Sequence, residues 1–96
     1  MKVLVVDDSS AMRMLVKRTL KQAGFGSLDV VEAEDGQQAL SKVESEMPGL
    51  ILCDWNMPNM TGIELLEKLR EDGNNAKFGF ITTESTAEMR SRARSA

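Results

Sequence analysis

The sequence predicts an α/β protein built on a doubly wound parallel sheet. Short apolar runs of strand length alternate along the 96-residue chain with longer stretches in which apolar residues recur every three to four positions. Two of the apolar runs lead directly into acids, at residues 2–6 and at residues 50–53. Because right-handed crossovers join strands that alternate with helices, neighbouring strands are expected to be parallel.

The first strand is predicted at residues 2–6, and Ser9 or Ser10 can cap the helix that follows. The inner face of this helix is predicted from residues spaced three or four positions apart: Met12, Leu15, Val16, Thr19, Leu20 and Ala23. Basic residues fall on the remaining surface: Arg13, Lys17, Arg18 and Lys21. Gly24 is expected to end the helix.

The second strand is predicted at residues 28–33. Asp29 and Glu32 interrupt its apolar pattern, so it is expected to be less buried than the others and to lie at an edge of the sheet. Glu34 and Asp35 follow it and could be metal ligands. We favour helix capping and solvation for these two acids, since they follow an edge strand.

The third strand is expected to be a buried one, and it ends in Asp54. A capping box formed by Thr61 and Glu64 opens the next helix. A fourth strand is predicted at residues 78–82, followed by a helix that runs to about residue 95. With the second strand at an edge, the predicted strand order is 2-1-3-4.

The acids at the two strand ends predict a metal site. Asp7 and Asp8 follow the first strand and Asp54 follows the third, so their carboxylates are expected to meet at the edge of the sheet where α/β proteins bind ligands. Carboxylates that share a site raise one another's pKa, and Mg²⁺ is the simplest compensation because no lysine or arginine flanks them. For a single acid, a helix cap or a strand end would be the favoured interpretation, but two acid-ended strands in one short chain favour the metal.

Composition narrows the classes of partner. The formal net charge is −3 and both signs are interspersed, which gives no reason to expect nucleic-acid or membrane binding. No signal peptide and no run of membrane-spanning length is recognised. Cys53 is the only cysteine, so no internal disulfide can form, which fits a reducing cytoplasm.

Four motifs together resemble the response-regulator receiver domain over residues 2–96. They occur in the family's order: Val5-Val6-Asp7-Asp8-Ser9, Glu32-Ala33-Glu34-Asp35-Gly36, Asp54-Trp55-Asn56-Met57-Pro58-Asn59-Met60 with Gly62, and Ile81-Thr82. The loop after Asp54 is most similar to that of the chemotaxis regulators. The receiver fold is flavodoxin-like with strand order 2-1-3-4-5, so the topology is recognised as well as argued.

The resemblance implies a function in two-component signalling. Asp54 would accept a phosphoryl group from a sensor histidine kinase, forming an aspartyl phosphate. Asp7, Asp8 and Asp54 would hold Mg²⁺ together with the backbone carbonyl of Asn56. Thr82 would be the switch hydroxyl that contacts the phosphoryl group. The outcome would be a switched target-binding surface, with a flagellar-motor component or another protein as the target, in the cytoplasm.

The chain departs from the family at its C-terminal end, because it stops at Ala96 where receivers continue into a fifth strand and a fifth helix. We therefore expect a single receiver domain over residues 1–96 that is C-terminally incomplete. We also expect it to self-associate, either through the exposed edge of the fourth strand or by exchanging elements between copies. An inactive fragment with a structural or self-associating role is the alternative function.

A turnover enzyme is not expected. A phosphatase that uses an aspartyl nucleophile would have acids two positions apart after the first strand, whereas Asp7 and Asp8 are adjacent. A chain of 96 residues also leaves no room for a cap domain.

Overall fold

The computed structural model describes residues 2–55, 57, 60–81 and 95. Strands and helices alternate as the sequence predicts: β1 Lys2–Val6, α1 Ser10–Leu20 with a π-helical turn Lys21–Phe25, β2 Asp29–Ala33, α2 Gly36–Glu46, β3 Leu50–Asp54, α3 Gly62–Glu71 and β4 Lys77–Ile81. Thr82 and the helix predicted after the fourth strand lie outside the described residues.

The four described strands form one sheet in the order β2-β1-β3-β4, and every pairing is parallel. The predicted order and the edge position of β2 are therefore confirmed. Val6 is in register with Ala33 on one side and with Cys53 on the other. Because of this register, the residues that follow Val6 and Cys53 leave the sheet at the same edge.

Local hydrogen bonds explain where each helix begins. Ser9 and Asp35 each accept a hydrogen bond from the backbone N–H three residues later, which caps α1 and α2. Thr61 and Glu64 form the complete capping box predicted for α3. Gly24 takes a φ of 95° at the end of the first helical segment, a conformation that favours glycine.

The main hydrophobic core lies between the sheet and the helices α2 and α3. Alternation along the strands directs one set of side chains to this side. The buried members are Leu4, Val6, Ala33, Ala39, Val43, Ile51, Cys53, Met57, Leu65 and Leu69. This core fixes β1 and β3 side by side, and those two strands carry the acids.

Helix α1 packs differently from its prediction. It has no buried residue, and its half-buried stripe is Met12, Arg13, Val16 and Leu20. Leu15, Thr19 and Ala23 are exposed, so their assignment to the inner face is wrong, and so is the placement of Arg13 on the outer surface. Arg13 lies on the side that faces the sheet, where its guanidinium pairs with Glu32 on β2, a contact that an apolar periodicity cannot reveal.

Candidate functional site

Three carboxylates meet at the carboxyl edge of the sheet. Asp7 and Asp8 follow β1, and Asp54 is the last residue of β3. One carboxylate oxygen from each lies within 4.8 Å of the others. Asp7 is 3% exposed, Asp54 is half-buried and Asp8 is exposed, so the group extends from the protein interior to solvent.

Hydrogen bonds fix Asp7 at both backbone groups and at its side chain. Its N–H donates to the carbonyl of Ala33 at 3.1 Å, which continues the pairing of β1 with β2 by one residue. Its Oδ1 accepts from the N–H of Ser9 at 2.9 Å. Its carbonyl oxygen accepts from Nη1 of Arg13 at 2.6 Å. The turn that presents Asp7 and Asp8 is therefore held by β2, by the start of α1 and by Arg13.

The electrostatics of the site favour a cation. Burial is the main reason that the pKa of Asp7 is raised, and the N–H of Ser9 opposes this shift. The negative charges of Asp54 and Asp8 and a hydrogen bond with Asp8 raise the pKa further. Three hard oxygen donors that repel one another are a donor set that Mg²⁺ fits, since it prefers carboxylates and completes its shell with water.

Asp54 and Trp55 lie tightly against the start of α3. The N–H of Gly62 donates to the carbonyl of Trp55 at 2.8 Å. A Cβ at Gly62 would fall well inside contact distance of the carbonyl oxygen of Asp54, so the backbone approach requires glycine. The Trp55 ring packs against Phe80 of β4 with their centroids 4.8 Å apart. These contacts fix the backbone next to Asp54 and hold the indole of the adjacent residue, Trp55, against β4.

Cys53 belongs to the core and not to the chemistry. Burial, followed by the charges of Asp54 and Asp7, raises the pKa of this thiol to about 12. A thiol with so high a pKa remains protonated at neutral pH and is a poor nucleophile.

The structure does not test every residue predicted for the site. Asn56 and Thr82 lie outside the described residues. Asp35 caps α2 and Glu34 is exposed, as the capping interpretation expects.

Sequence reasoning missed Arg13, which brings a cation against the backbone of the acidic turn although no basic residue flanks the acids in sequence. Its partner Glu32 is in register with Val5 and lies on the side of the sheet that faces α1. An acid at that position of an edge strand, opposite an arginine near the start of α1, is the signal that could have predicted the pair.

Comparison with known proteins identifies the family. Residues 3–96 match the family described as the response regulator receiver domain. The chain is a response regulator receiver domain. This receiver is 45% identical over 87 residues to the chemotaxis protein CheY1 of Helicobacter pylori, covering 88% of this chain and 68% of the relative. It is 46% identical over 72 residues to the chemotaxis protein CheY of Pseudomonas aeruginosa, covering 75% of this chain and 56% of that protein.

Solved structures give the same fold. The chemotaxis protein CheY4 of Vibrio cholerae superposes on this receiver with a TM-score of 0.86 at 35% identity, over 98% of this chain and 78% of the other. The receiver domain of the putative response regulator NarL of Mycobacterium tuberculosis superposes with a TM-score of 0.87 at 29% identity, over 98% and 75%. The predicted family and the flavodoxin-like strand order are thus confirmed.

Receivers are signalling modules of two-component systems and not turnover enzymes, and this chain shares that class. In the part of the chain that the structure describes, no helix has both the length and the apolar character needed to cross a bilayer.

Proposed function

We propose that this receiver accepts a phosphoryl group on Asp54 from the phosphohistidine of a sensor kinase, with Mg²⁺ held by Asp7, Asp8 and Asp54. The observation that carries the proposal is the meeting of these three carboxylates within 4.8 Å at the carboxyl edge of the sheet. Membership of the receiver family supports it independently. Bound Mg²⁺ would neutralise the charge that develops on the phosphoryl oxygens.

The exposure of each acid supports a separate role for it in this proposal. Asp54 is half-buried at a strand end, so a donor can reach its carboxylate while the hydrogen bond from Gly62 holds the backbone of the next residue, Trp55. A carboxylate oxygen of Asp54 would form a bond to phosphorus as the bond from phosphorus to the imidazole nitrogen breaks. The electron pair would remain on that nitrogen. Asp7 is too deeply buried to meet a donor and serves as a ligand.

Two further roles rest on the resemblance alone. The carbonyl of Asn56 would complete the protein's ligands to the metal. The hydroxyl of Thr82 would donate a hydrogen bond to the phosphoryl group and so switch a target-binding surface.

The pathway we propose is chemotaxis, because the curated relatives that are 45–46% identical are chemotaxis proteins. A sensor histidine kinase would be the donor, and a flagellar-motor component or another protein would be the target. A cytoplasmic location is part of the proposal and rests on Cys53, which is a free buried thiol.

Phosphoryl uptake tests the acceptor. The wild-type chain, incubated with Mg²⁺ and a phosphoramidate donor that mimics phosphohistidine, is expected to take up about one phosphoryl group per chain and then stop. Asp54→Asn keeps the shape of the side chain but is expected to take up none. Uptake that persists in Asp54→Asn would identify another acceptor. No uptake by folded wild-type chain would favour the structural module instead.

Metal binding is measured separately by Trp55 fluorescence, since its indole lies next to Asp54. We expect a saturable change at millimolar Mg²⁺ that Asp8→Ala abolishes. The matched control is Glu34→Ala, which removes an exposed acid outside the cluster and is expected to leave the titration unchanged. An Asp8→Ala titration identical to wild type would contradict the proposed ligands.

A further inference from the structure

Arg13 joins three elements around the acidic turn. Its side chain is only 12% exposed although it carries a full charge. Nη1 donates to the carbonyl oxygen of Asp7 at 2.6 Å, and Nε donates to Oε1 of Glu32 at 3.1 Å. One planar guanidinium therefore connects the loop after β1, the start of α1 and the edge strand β2.

Glu32 holds this guanidinium in place. Partial burial alone would raise the pKa of Glu32, but hydrogen bonds from Lys17 and Arg13 and their positive charges together hold it below its ordinary value. The carboxylate is therefore ionised at neutral pH, and the ion pair with Arg13 is present there. Lys17 contacts the other oxygen of Glu32 at 3.2 Å and is largely solvent-exposed. Of these two cations, Arg13 is the one that reaches Asp7.

The contact with Asp7 sets the direction of the peptide group between Asp7 and Asp8. The N–H of Asp7 is tied to Ala33 and its carbonyl is tied to Arg13, so the backbone on either side of Asp7 cannot rotate freely. Asp8 is exposed, so core packing does not place its carboxylate. A hydrogen bond with the Asp7 side chain holds Asp8 from one side, and the backbone direction at the Asp7 carbonyl, which Arg13 contacts, sets where the Asp8 side chain starts.

We infer that Arg13 is a positioning residue for the acidic site, acting through the Asp7 carbonyl to hold Asp8 in a geometry that binds Mg²⁺. The inference rests on the proposed function and extends it to a residue outside the carboxylate group. The alternative is that Arg13 acts only through its positive charge. A cation beside three carboxylates repels Mg²⁺, so removing a merely electrostatic Arg13 would tighten Mg²⁺ binding.

Three variants separate position from charge. Arg13→Lys keeps the charge and loses the planar fork that bonds Asp7 and Glu32 together. Arg13→Gln loses both. Lys17→Gln is the matched control, because it removes the other cation on Glu32 without touching Asp7. Each folded variant is titrated with Mg²⁺ by Trp55 fluorescence, and amide hydrogen exchange is measured in the metal-free chain.

Positioning predicts that both Arg13 variants weaken Mg²⁺ binding about tenfold, as substitutions behind a metal ligand do. It also predicts that the Asp7 and Ser9 amides of the metal-free chain exchange about fivefold faster, the loss of one hydrogen bond. Lys17→Gln is expected to change neither quantity. If Arg13→Gln destabilises the fold, Arg13→Lys still tests the inference, because a lysine can keep an ion pair with Glu32.

Unchanged or tighter Mg²⁺ binding in both Arg13 variants overturns the inference. Equal loss of affinity in Lys17→Gln also overturns it, because the effect would then belong to Glu32 or to charge in general. A wild-type chain that binds no Mg²⁺ overturns the proposed function instead. In that case the exchange rates still decide whether Arg13 fixes the turn at Asp7.

Discussion

The two faces of the sheet are built in different ways. On the face covered by α2 and α3, Leu4 and Val6 of β1 join a continuous cluster of buried apolar residues. On the other face Val3 and Val5 are fully buried, yet α1 buries none of its own residues and is tied down by Ser9 and Arg13. The first face supplies most of the hydrophobic stability. The second holds the acidic turn through directional polar contacts.

The largest expected loss of stability comes from a substitution in the core between the sheet and α2 and α3. Leu65 of α3 is fully buried, and Leu65→Ala is expected to lower the free energy of unfolding by about 3 kcal/mol, through lost transfer energy and a cavity. Leu15→Ala makes the same chemical change on α1, where the side chain is 51% exposed, and is expected to cost less than about 0.5 kcal/mol. Urea unfolding measures both. Equal losses would show that α1 packs as tightly as α3.

Sequence reasoning followed the same division between the faces. It predicted the strand order, the caps at Ser9, Asp35 and Thr61, and the meeting of the acids, because alternation, capping chemistry and strand-end position are all local signals. On the other face it placed Met12, Val16 and Leu20 correctly but wrongly assigned Leu15, Thr19 and Ala23 to the interior. Periodicity measures only apolar spacing, so it could not place Arg13, whose side chain is 12% exposed and pairs with Glu32 on the sheet side of that helix.

Gly62→Ala is expected to have the next largest effect. The new methyl group would press on the backbone of Asp54, which cannot yield as a flexible side chain can, and we expect a loss of about 2 kcal/mol with a shifted Trp55 emission spectrum. Gly26→Ala is the control, since its φ is −66° and the nearest atom lies at an ordinary contact distance of 3.4 Å. If Gly62→Ala changed neither the free energy of unfolding nor the Trp55 emission, the backbone near Asp54 would have room to accommodate the methyl group.

Asp7→Asn is expected to stabilise the metal-free chain at neutral pH by about 1 kcal/mol, because it removes a buried charge that Asp54 and Asp8 repel. The folded-state pKa of Asp7 lies above its ordinary value. Its contribution to stability is therefore fully present below the unfolded pKa and is lost as the pH rises through the folded pKa. The stability advantage of Asp7→Asn over wild type should therefore grow as the pH rises through the folded-state pKa of Asp7, and it should level off at higher pH.

Urea unfolding at a series of pH values measures this change. Asp29→Asn makes the same substitution at an exposed position of β2 and is the control for net charge. The Asp7 variant should also lose Mg²⁺ binding, which separates the stability of the site from its function. An Asp7→Asn chain that is less stable than wild type at neutral pH would mean that the charge-assisted part of the hydrogen bond from the Ser9 N–H outweighs the repulsion.

The last prediction concerns self-association, and the substitution that tests it is expected to have the smallest effect on the free energy of unfolding. Met14 and Leu15 of α1 are 60% and 51% exposed, and the strand β4 forms an edge of the described sheet. Within the described residues there are therefore both an apolar patch and a strand edge that could pair with another chain. We expect the wild-type chain to form species heavier than the 10.6 kDa monomer at high concentration. Light scattering coupled to size exclusion, over about a hundredfold range of concentration, measures this.

Leu15→Gln distinguishes the two surfaces. It should change the free energy of unfolding by less than about 0.5 kcal/mol, since it alters an exposed position. If the patch on α1 is the contact, the variant returns to the monomer mass while its fold and its Mg²⁺ titration stay as in wild type. If the variant associates like wild type, pairing through β4 accounts for the association, as the apolar character of that strand predicts. If the wild-type chain is a monomer at every concentration, neither surface mediates self-association. The contacts of α1 through Arg13 and the Ser9 cap would then be enough to keep the folded chain monomeric in solution.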